Sequence, residues 1–186
     1  MNEETSASLS DSEKSVRDIL EQAGPPHFDS WASFNHYCRH LLDLWRSSYS
    51  PGMASGEQFM VHWEAIRANA PRTIRTPWGG VHVTITQLPN VEQYVVIEGG
   101  RYTPLEKHLE RVETFLVRDG VGVLVYRPVS GGEIQADPIS PGYSITLLPE
   151  QEHAIVALED LLMYERVTDV KGEDEGRVII FDALQQ

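Results

Sequence analysis

Two histidines and two glutamates in the second half of the chain could together bind a metal: Glu106, His108, Glu113 and His153. Only residues 109–112 separate His108 from Glu113, so a strand ending at the first and another starting at the second would bring both side chains into one barrel mouth. Glu106 lies two residues before His108 and would point to the same face of a strand. Imidazole and carboxylate ligands suit Zn, Mn, Fe, Co or Ni. With an open coordination position, such a metal could polarise a substrate oxygen.

The elements that must position these residues begin after Pro71, where short β-branched runs alternate with Gly, Pro and Asp. Two turn signals lie among them, Asp119-Gly120 and Ser130-Gly131-Gly132. Short, closely spaced strands without an intervening helix predict a mainly β fold, an antiparallel barrel or jelly roll. The predicted strands cover residues 81–88, 93–99, 113–119, 121–127, 143–149, 153–158, 161–166 and 177–183.

The first 70 residues have a different character. Residues 1–12 are rich in Ser and Glu and predict a disordered tail. Amphipathic spacing predicts helices over residues 13–23, 30–47 and 56–69, with Ser30 as an N-cap. We therefore expect a tail (1–12), a helical N-terminal extension (13–70) and a β-barrel domain (71–186). The apolar helix faces are expected to pack against the barrel or against a second subunit.

The charge and composition of the chain exclude several classes of protein. A net charge of −13 opposes binding to nucleic acid and to anionic membranes, but not to metal cations. No apolar run reaches the roughly 18 residues that a membrane-spanning helix needs, and the acidic N-terminus does not resemble a secretory signal. The single cysteine excludes an internal disulfide. We expect a cytoplasmic protein.

Two segments resemble the motifs of a known superfamily. Residues 104–120, PLEKHLERVETFLVRDG, resemble the first cupin motif, and residues 142–153, GYSITLLPEQEH, resemble the second. Among cupins, the chain is most similar to the C-terminal domain of type II mannose-6-phosphate isomerases. The Pro-Trp-Gly that opens that domain matches residues 77–79, and its Gly-Glu-Asp-Asp is similar to residues 172–175.

The resemblance implies a cupin-type jelly-roll barrel with a divalent metal bound by His108, Glu113, His153 and the residue at position 106, which is Gln in the family and Glu106 here. It implies that Arg111 is catalytic. The reaction would be an aldose–ketose isomerisation of a sugar or sugar phosphate through a metal-stabilised enediolate. Cupins commonly pair through sheet edges, which implies a homodimer.

Several roles stay open at this stage. Glu106 could be a ligand or the catalytic base that removes the proton α to the carbonyl. The Arg111 guanidinium could hold a phosphate or pair with a neighbouring carboxylate. Lys107 and Arg101 are weaker candidates for substrate binding. A non-catalytic small-ligand-binding module is one alternative function, and an Fe-dependent dioxygenase with the same ligand set is another.

Overall fold

The computed structural model of the chain describes residues 11–49, 56–128, 131–168 and 176–183. Three helices come first: α1 (Asp11–Ala23), α2 (Trp31–Ser48) and α3 (Glu57–Arg67). The strands that follow are β1 (Thr73–Thr76), β2 (Gly79–Gln87), β3 (Asn90–Ile97), β4 (Leu105–His108), β5 (Val112–Asp119), β6 (Gly122–Tyr126), β7 (Gln135–Ile139), β8 (Ser144–Leu147), β9 (His153–Ala157), β10 (Leu161–Thr168) and β11 (Arg177–Phe181).

The strands form two antiparallel sheets. One sheet has six strands in the order β1-β2-β3-β10-β5-β8, and the other has five in the order β11-β4-β9-β6-β7. A core of apolar side chains from both sheets lies between them, including Phe115, Leu124, Ile155 and Met163. This is the mainly β, jelly-roll architecture that the strand spacing predicted.

The helices cover the outer faces of both sheets. Residues of α1 and α2 share a core with Val123 and Val156 of the five-stranded sheet, and the only cysteine, Cys38, is fully buried in it. On the other side, Phe59 and Ile66 of α3 pack against the six-stranded sheet. Of the two packing partners left open by the sequence, the helices thus use the barrel.

Helix packing explains why the central strands of the five-stranded sheet read as continuous apolar runs. Leu124 of β6 faces the inter-sheet core, whereas Val123 and Val125 face the helical layer. β9 is buried along its whole length in the same way. A strand covered on both faces needs no polar alternation. At the start of β9, His153 is therefore held on a strand that is fixed from both sides.

The sequence-based boundaries differ from the structure in a few places. Two short strands, β1 and β7, were not predicted, and β4 matches the strand ending at His108 rather than one of the eight apolar runs. β7 contains Pro138, which is tolerated because β7 is an edge strand. The Asp119-Gly120 turn connects β5 to β6 across the two sheets rather than closing a hairpin, and Gly120 has a φ of +80°.

Some predictions fall on residues outside the described ranges. These are residues 1–10 of the predicted tail and the segment 172–175 of the isomerase resemblance. The last two residues of the predicted tail, 11 and 12, belong to α1, which begins at Asp11. Ser130 of the second turn signal also lies outside the described ranges. Within the described ranges, no helix has the length and apolar character needed to cross a membrane.

Candidate metal centre

Neighbouring strands β4 and β9 bring three of the predicted ligands together. Glu106 and His153 are directly opposite each other in the register, and His108 lies two residues along from Glu106 on the same face. One ligand atom from each of these residues lies within 4.8 Å of the other two. The strand pairing therefore places a carboxylate and two imidazoles on the inner face of the five-stranded sheet.

Glu113 reaches the two imidazoles from β5 of the opposite sheet. Its Oε1 lies 3.3 Å from His108 Nε2, and its Oε2 lies 3.3 Å from His153 Nε2. All three side chains are about 95% buried. Both imidazoles therefore turn the same nitrogen towards one carboxylate in the interior of the barrel.

Neighbouring groups orient two of these side chains. His153 Nδ1 donates a hydrogen bond to the Gln151 carbonyl at 3.2 Å, which leaves the Nε2 lone pair directed into the site. Arg177, at the start of β11, donates to Glu106 Oε2 from Nε at 2.6 Å and also from its terminal nitrogen. Partners of this kind fix the tautomer and direction of ligands in metal sites.

Arg111 links the centre to a second buried carboxylate. Its Nε lies 3.1 Å from Glu113 Oε1, and a terminal nitrogen lies 3.8 Å from Glu165 Oε1. Glu165 Oε2 accepts a 2.6 Å hydrogen bond from Gln93, its direct partner across β3 and β10. Arg111, which immediately precedes β5, thus joins three side chains of the six-stranded sheet into one chain of hydrogen bonds and ion pairs: Glu113, Arg111, Glu165 and Gln93.

Burial controls the protonation of these groups. It raises the pKa of Glu113, against the opposing charges of His108 and Arg111. The pKa of Glu165 is raised to about 8, first by burial and then by the negative charge of Glu113. Burial lowers the pKa of His153 below its ordinary value, so its imidazole is neutral at pH 7. A neutral imidazole is the form that binds metals.

The geometry fits a divalent cation. Glu113 Oε2 is buried and accepts no hydrogen bond of acceptable geometry from any described residue. A buried oxygen in that state costs on the order of 1–3 kcal/mol, and more if it is charged. Ligand atoms about 2.1 Å from one metal lie roughly 3.0–3.4 Å apart at tetrahedral or octahedral angles. The two 3.3 Å separations between Glu113 oxygens and imidazole nitrogens fall in that range.

A cavity of about 400 Å³ opens beside this centre. His108, Glu113 and His153 line one part of it. Arg111 and Glu165 line it as well, and so does Trp78. A ligand in this cavity would therefore be in reach of the whole cluster.

The structure brings together five of the residues singled out from the sequence, namely Glu106, His108, Arg111, Glu113 and His153. It does not bring the other two to them. Lys107 alternates on β4 with Glu106 and His108, so its side chain points away from the cavity. Its Nζ pairs with Glu150 at 2.7 Å. Arg101 is likewise not among the residues that line the cavity.

Three residues of the cluster were not predicted from the sequence: Gln93, Glu165 and Arg177. The signal for Glu165 was its position in the alternation of β10, where it shares a strand face with the apolar Leu161 and Met163. Gln93 shares a face with Val95 and Ile97 in the same way. A single polar residue on the apolar face of a strand indicates a buried polar site. Arg177 offered no such pattern.

Comparison with known proteins gives information on the fold. No family model and no curated protein matches the sequence. Among solved structures, ectoine synthase from P. lautus is similar with a TM-score of 0.50 at 20% identity, covering 65% of this chain and 88% of that one. CapF, solved with the inhibitor 3-isopropenyl-tropolone, has a TM-score of 0.52 at 15% identity, covering 90% of this chain and 46% of CapF.

A third similar structure is the oxalate decarboxylase of Bacillus subtilis, described for its Mn(II) centres. Its TM-score is 0.50 at 16% identity, and the match covers 59% of this chain and 30% of the decarboxylase. Identities at this level show a shared fold alone. The fold of the described chain is that of the cupins, as the two motifs predicted. The closer resemblance to mannose-6-phosphate isomerases stays a prediction.

Proposed function

We propose that the chain is a metal-dependent enzyme in which His108, His153, Glu113 and Glu106 bind one divalent cation, and in which the adjoining cavity holds a small substrate. The observation that carries this proposal is the position of Glu113, 3.3 Å from the Nε2 of both imidazoles, with a buried oxygen that accepts no hydrogen bond from the described residues. The Mn(II) centres named for the similar oxalate decarboxylase support a divalent metal. Zn, Mn, Fe, Co and Ni all suit this donor set.

The protein's own groups would then hold and orient a substrate. The bound cation would polarise a substrate oxygen. Arg111, placed between Glu113 and Glu165, fixes the direction of both carboxylates. Arg177 holds Oε2 of Glu106, so Glu106 would serve as a ligand through its other oxygen, or as a base near the metal. Because the site is buried, water is largely kept from the reacting groups.

Metal binding is tested directly by elemental analysis. Protein dialysed against chelator and reloaded should retain about one divalent cation per chain. His108→Ala and His153→Ala each remove an imidazole and should lose that cation, and Glu113→Gln should weaken binding. His40→Ala, on the exposed face of α2, is a matched control and should bind as the wild type does. Equal metal content in all four variants would contradict the assignment of the ligands.

The aldose–ketose isomerase reaction is the finer version of this proposal, supported by the resemblance of residues 104–120 and 142–153. It is tested by offering mannose 6-phosphate, fructose 6-phosphate and free aldoses to the Mn, Zn and Co forms. An absence of turnover with metal bound would exclude the isomerase and leave the metal site standing. Oxygen consumption with Fe(II) would favour a dioxygenase instead. Binding without any turnover would favour the non-catalytic module.

The predicted homodimer also belongs to the proposal. Because α1, α2 and α3 cover the outer sheet faces, a partner would approach at the sheet edges, which are β1 and β8 in one sheet and β11 and β7 in the other. Light scattering after size-exclusion chromatography should give about twice the chain mass. A monomer at all concentrations would contradict this part.

A further inference from the structure

The cavity has two chemically different parts. The polar part comes from β4, β5 and β9, which carry the metal-ligand candidates. The other part comes from β1, β2, β3 and β10, and its side chains are mostly apolar, with Thr76, Thr86, Gln93 and Glu165 as the polar exceptions. Its main contributors are Ile74, Val81, Val83, Val91, Val95, Met163 and Val167.

Strand register arranges the apolar side chains of this wall in two rows. Val81 lies directly across from Val95, and Val95 lies directly across from Met163. Nearer the other end, Val91 lies across from Val167. Directly opposed side chains in an antiparallel sheet are in contact. The first row thus runs over three adjacent strands and the second over two, beside Thr86 of β2, and Gln93 and Glu165 form a polar pair between the two rows.

The cations in the cavity are already engaged. Arg111 pairs with Glu113 and Glu165, and Arg177 pairs with Glu106. A phosphate would have to compete with these buried carboxylates for the same guanidinium groups. A sugar would meet a second difficulty, because many of its hydroxyl groups would face the valine and methionine side chains of the wall. Buried hydroxyls that lose hydrogen bonds to water weaken binding strongly.

We propose that the ligand of this cavity is a small amphiphilic molecule, with an oxygen-chelating head such as that of a 2-oxo or 2-hydroxy acid and a branched aliphatic or aromatic body. The head lies against His108, Glu113 and His153, which rests on the proposed metal site. The body lies on the wall formed by Val81, Val83, Val91, Val95, Met163 and Val167. A volume of about 400 Å³ accommodates a molecule of this size.

Three probes with one shared head test this assignment: pyruvate, 4-methyl-2-oxopentanoate and 2-oxogluconate. Their affinities for the Zn-loaded protein are measured by calorimetry. Each buried methylene strengthens binding about fourfold, so the three additional carbons of 4-methyl-2-oxopentanoate should give about 60-fold tighter binding than pyruvate. The polyhydroxylated 2-oxogluconate should bind no more tightly than pyruvate. Equal affinities for the first two, or tightest binding of 2-oxogluconate, would overturn the inference.

Substitutions in the apolar wall test whether the aliphatic body of the ligand lies there. Val83→Thr and Val91→Thr keep the side-chain shape and replace one methyl group by a hydroxyl group, so each should weaken binding of 4-methyl-2-oxopentanoate about five- to tenfold and change pyruvate binding less than twofold. Val61→Thr on α3, where the side chain is 59% exposed, is the matched control and should leave both affinities unchanged. Equal effects on both ligands would place the body elsewhere and contradict the proposal.

Failure of the metal site is distinguishable from failure of this inference. If elemental analysis finds no bound metal, the same probes are titrated into the metal-free protein, with Trp78 in the cavity as a fluorescence reporter and Trp78→Phe as its control. Preference for the branched acid over pyruvate would then support the apolar wall without the metal. If the metal binds and the branched acid shows no advantage, the metal site stands and the ligand class is wrong.

Discussion

Glu165→Gln in the metal-free protein provides a sharp test of the electrostatics of the site. Glu165 is 97% buried and lies beside Glu113, and these two effects favour its neutral form in the folded chain more strongly than Arg111 and the hydrogen bond from Gln93 favour its ionised form. Glutamine has the same shape and stays neutral at every pH. The substitution therefore mimics the protonated carboxyl group and removes its titration.

The magnitude follows from the raised pKa. The pKa of Glu165 is raised from 4.5 to about 8 by burial and by the charge of Glu113. Because the unfolded chain ionises first, the stabilisation from the protonated group is complete below about pH 4.5 and is lost as the pH rises through about 8. At about 1.4 kcal/mol per pH unit, the wild type loses roughly 3 kcal/mol by pH 7 and roughly 5 kcal/mol above pH 8 through this group. Glu165→Gln avoids that loss.

Urea unfolding in the presence of chelator, from pH 5 to pH 9, measures the difference. The free energy of unfolding of Glu165→Gln should fall less steeply with rising pH than that of the wild type. Glu92→Gln is the matched control, because Glu92 lies next to Gln93 on β3, on the opposite face, and pairs with the 63% exposed Arg166. Parallel pH profiles for the wild type and Glu165→Gln would refute the reasoning that burial keeps this carboxyl group protonated.

Three further outcomes are expected. Glu106→Gln, which places the residue type of the resembling family at this position, should keep metal binding within about tenfold in calorimetric titration, whereas a complete loss would show that the carboxylate charge is essential. Ser30→Ala removes the capping box of α2 and should lower the free energy of unfolding by about 1 kcal/mol in urea, with Ser47→Ala near the other end of α2 as a milder comparison. Gly120→Ala should lower it by more than about 2 kcal/mol, because the new Cβ would lie 2.0 Å from the Asp160 carbonyl oxygen and φ is +80°; Gly131→Ala, also at positive φ but with open space around it, separates the steric part from the backbone part.

The sequence predicted the architecture well where local chemistry dictates structure. β-branched runs, Asp-Gly and the Ser30 cap are local signals, and the structure has a capping box at Ser30 and strands over the apolar runs. The short strands β1 and β7 escaped prediction because four or five residues with a proline or with exposed positions carry little periodicity. Their strand state comes from the hydrogen bonds of a neighbour in the sheet.

The candidate site was predictable only in part for the same physical reason. His108 and Glu113 lie close in sequence, and a motif could place them. Glu165 and Gln93 join the cluster through the pairing of β3 with β10, 72 residues apart in the chain, which no local pattern specifies. Lys107 shows the converse, because its proximity to His108 suggested a substrate role while strand alternation turns it towards Glu150.

The position of Cys38 gives this protein a built-in reporter of motion. Its thiol is fully buried between α2 and the five-stranded sheet, and burial raises the pKa of Cys38, so the reactive thiolate is scarce in the closed state. Modification by a thiol reagent under native conditions must then await an opening that separates the helix from the sheet. Since the chain has one cysteine, the rate at which the reagent labels the protein measures how often such openings occur, without any engineered probe. Because Ala154 and Val156 of β9 lie in the same core, the rate also reports openings that uncover this face of the strand that begins with His153.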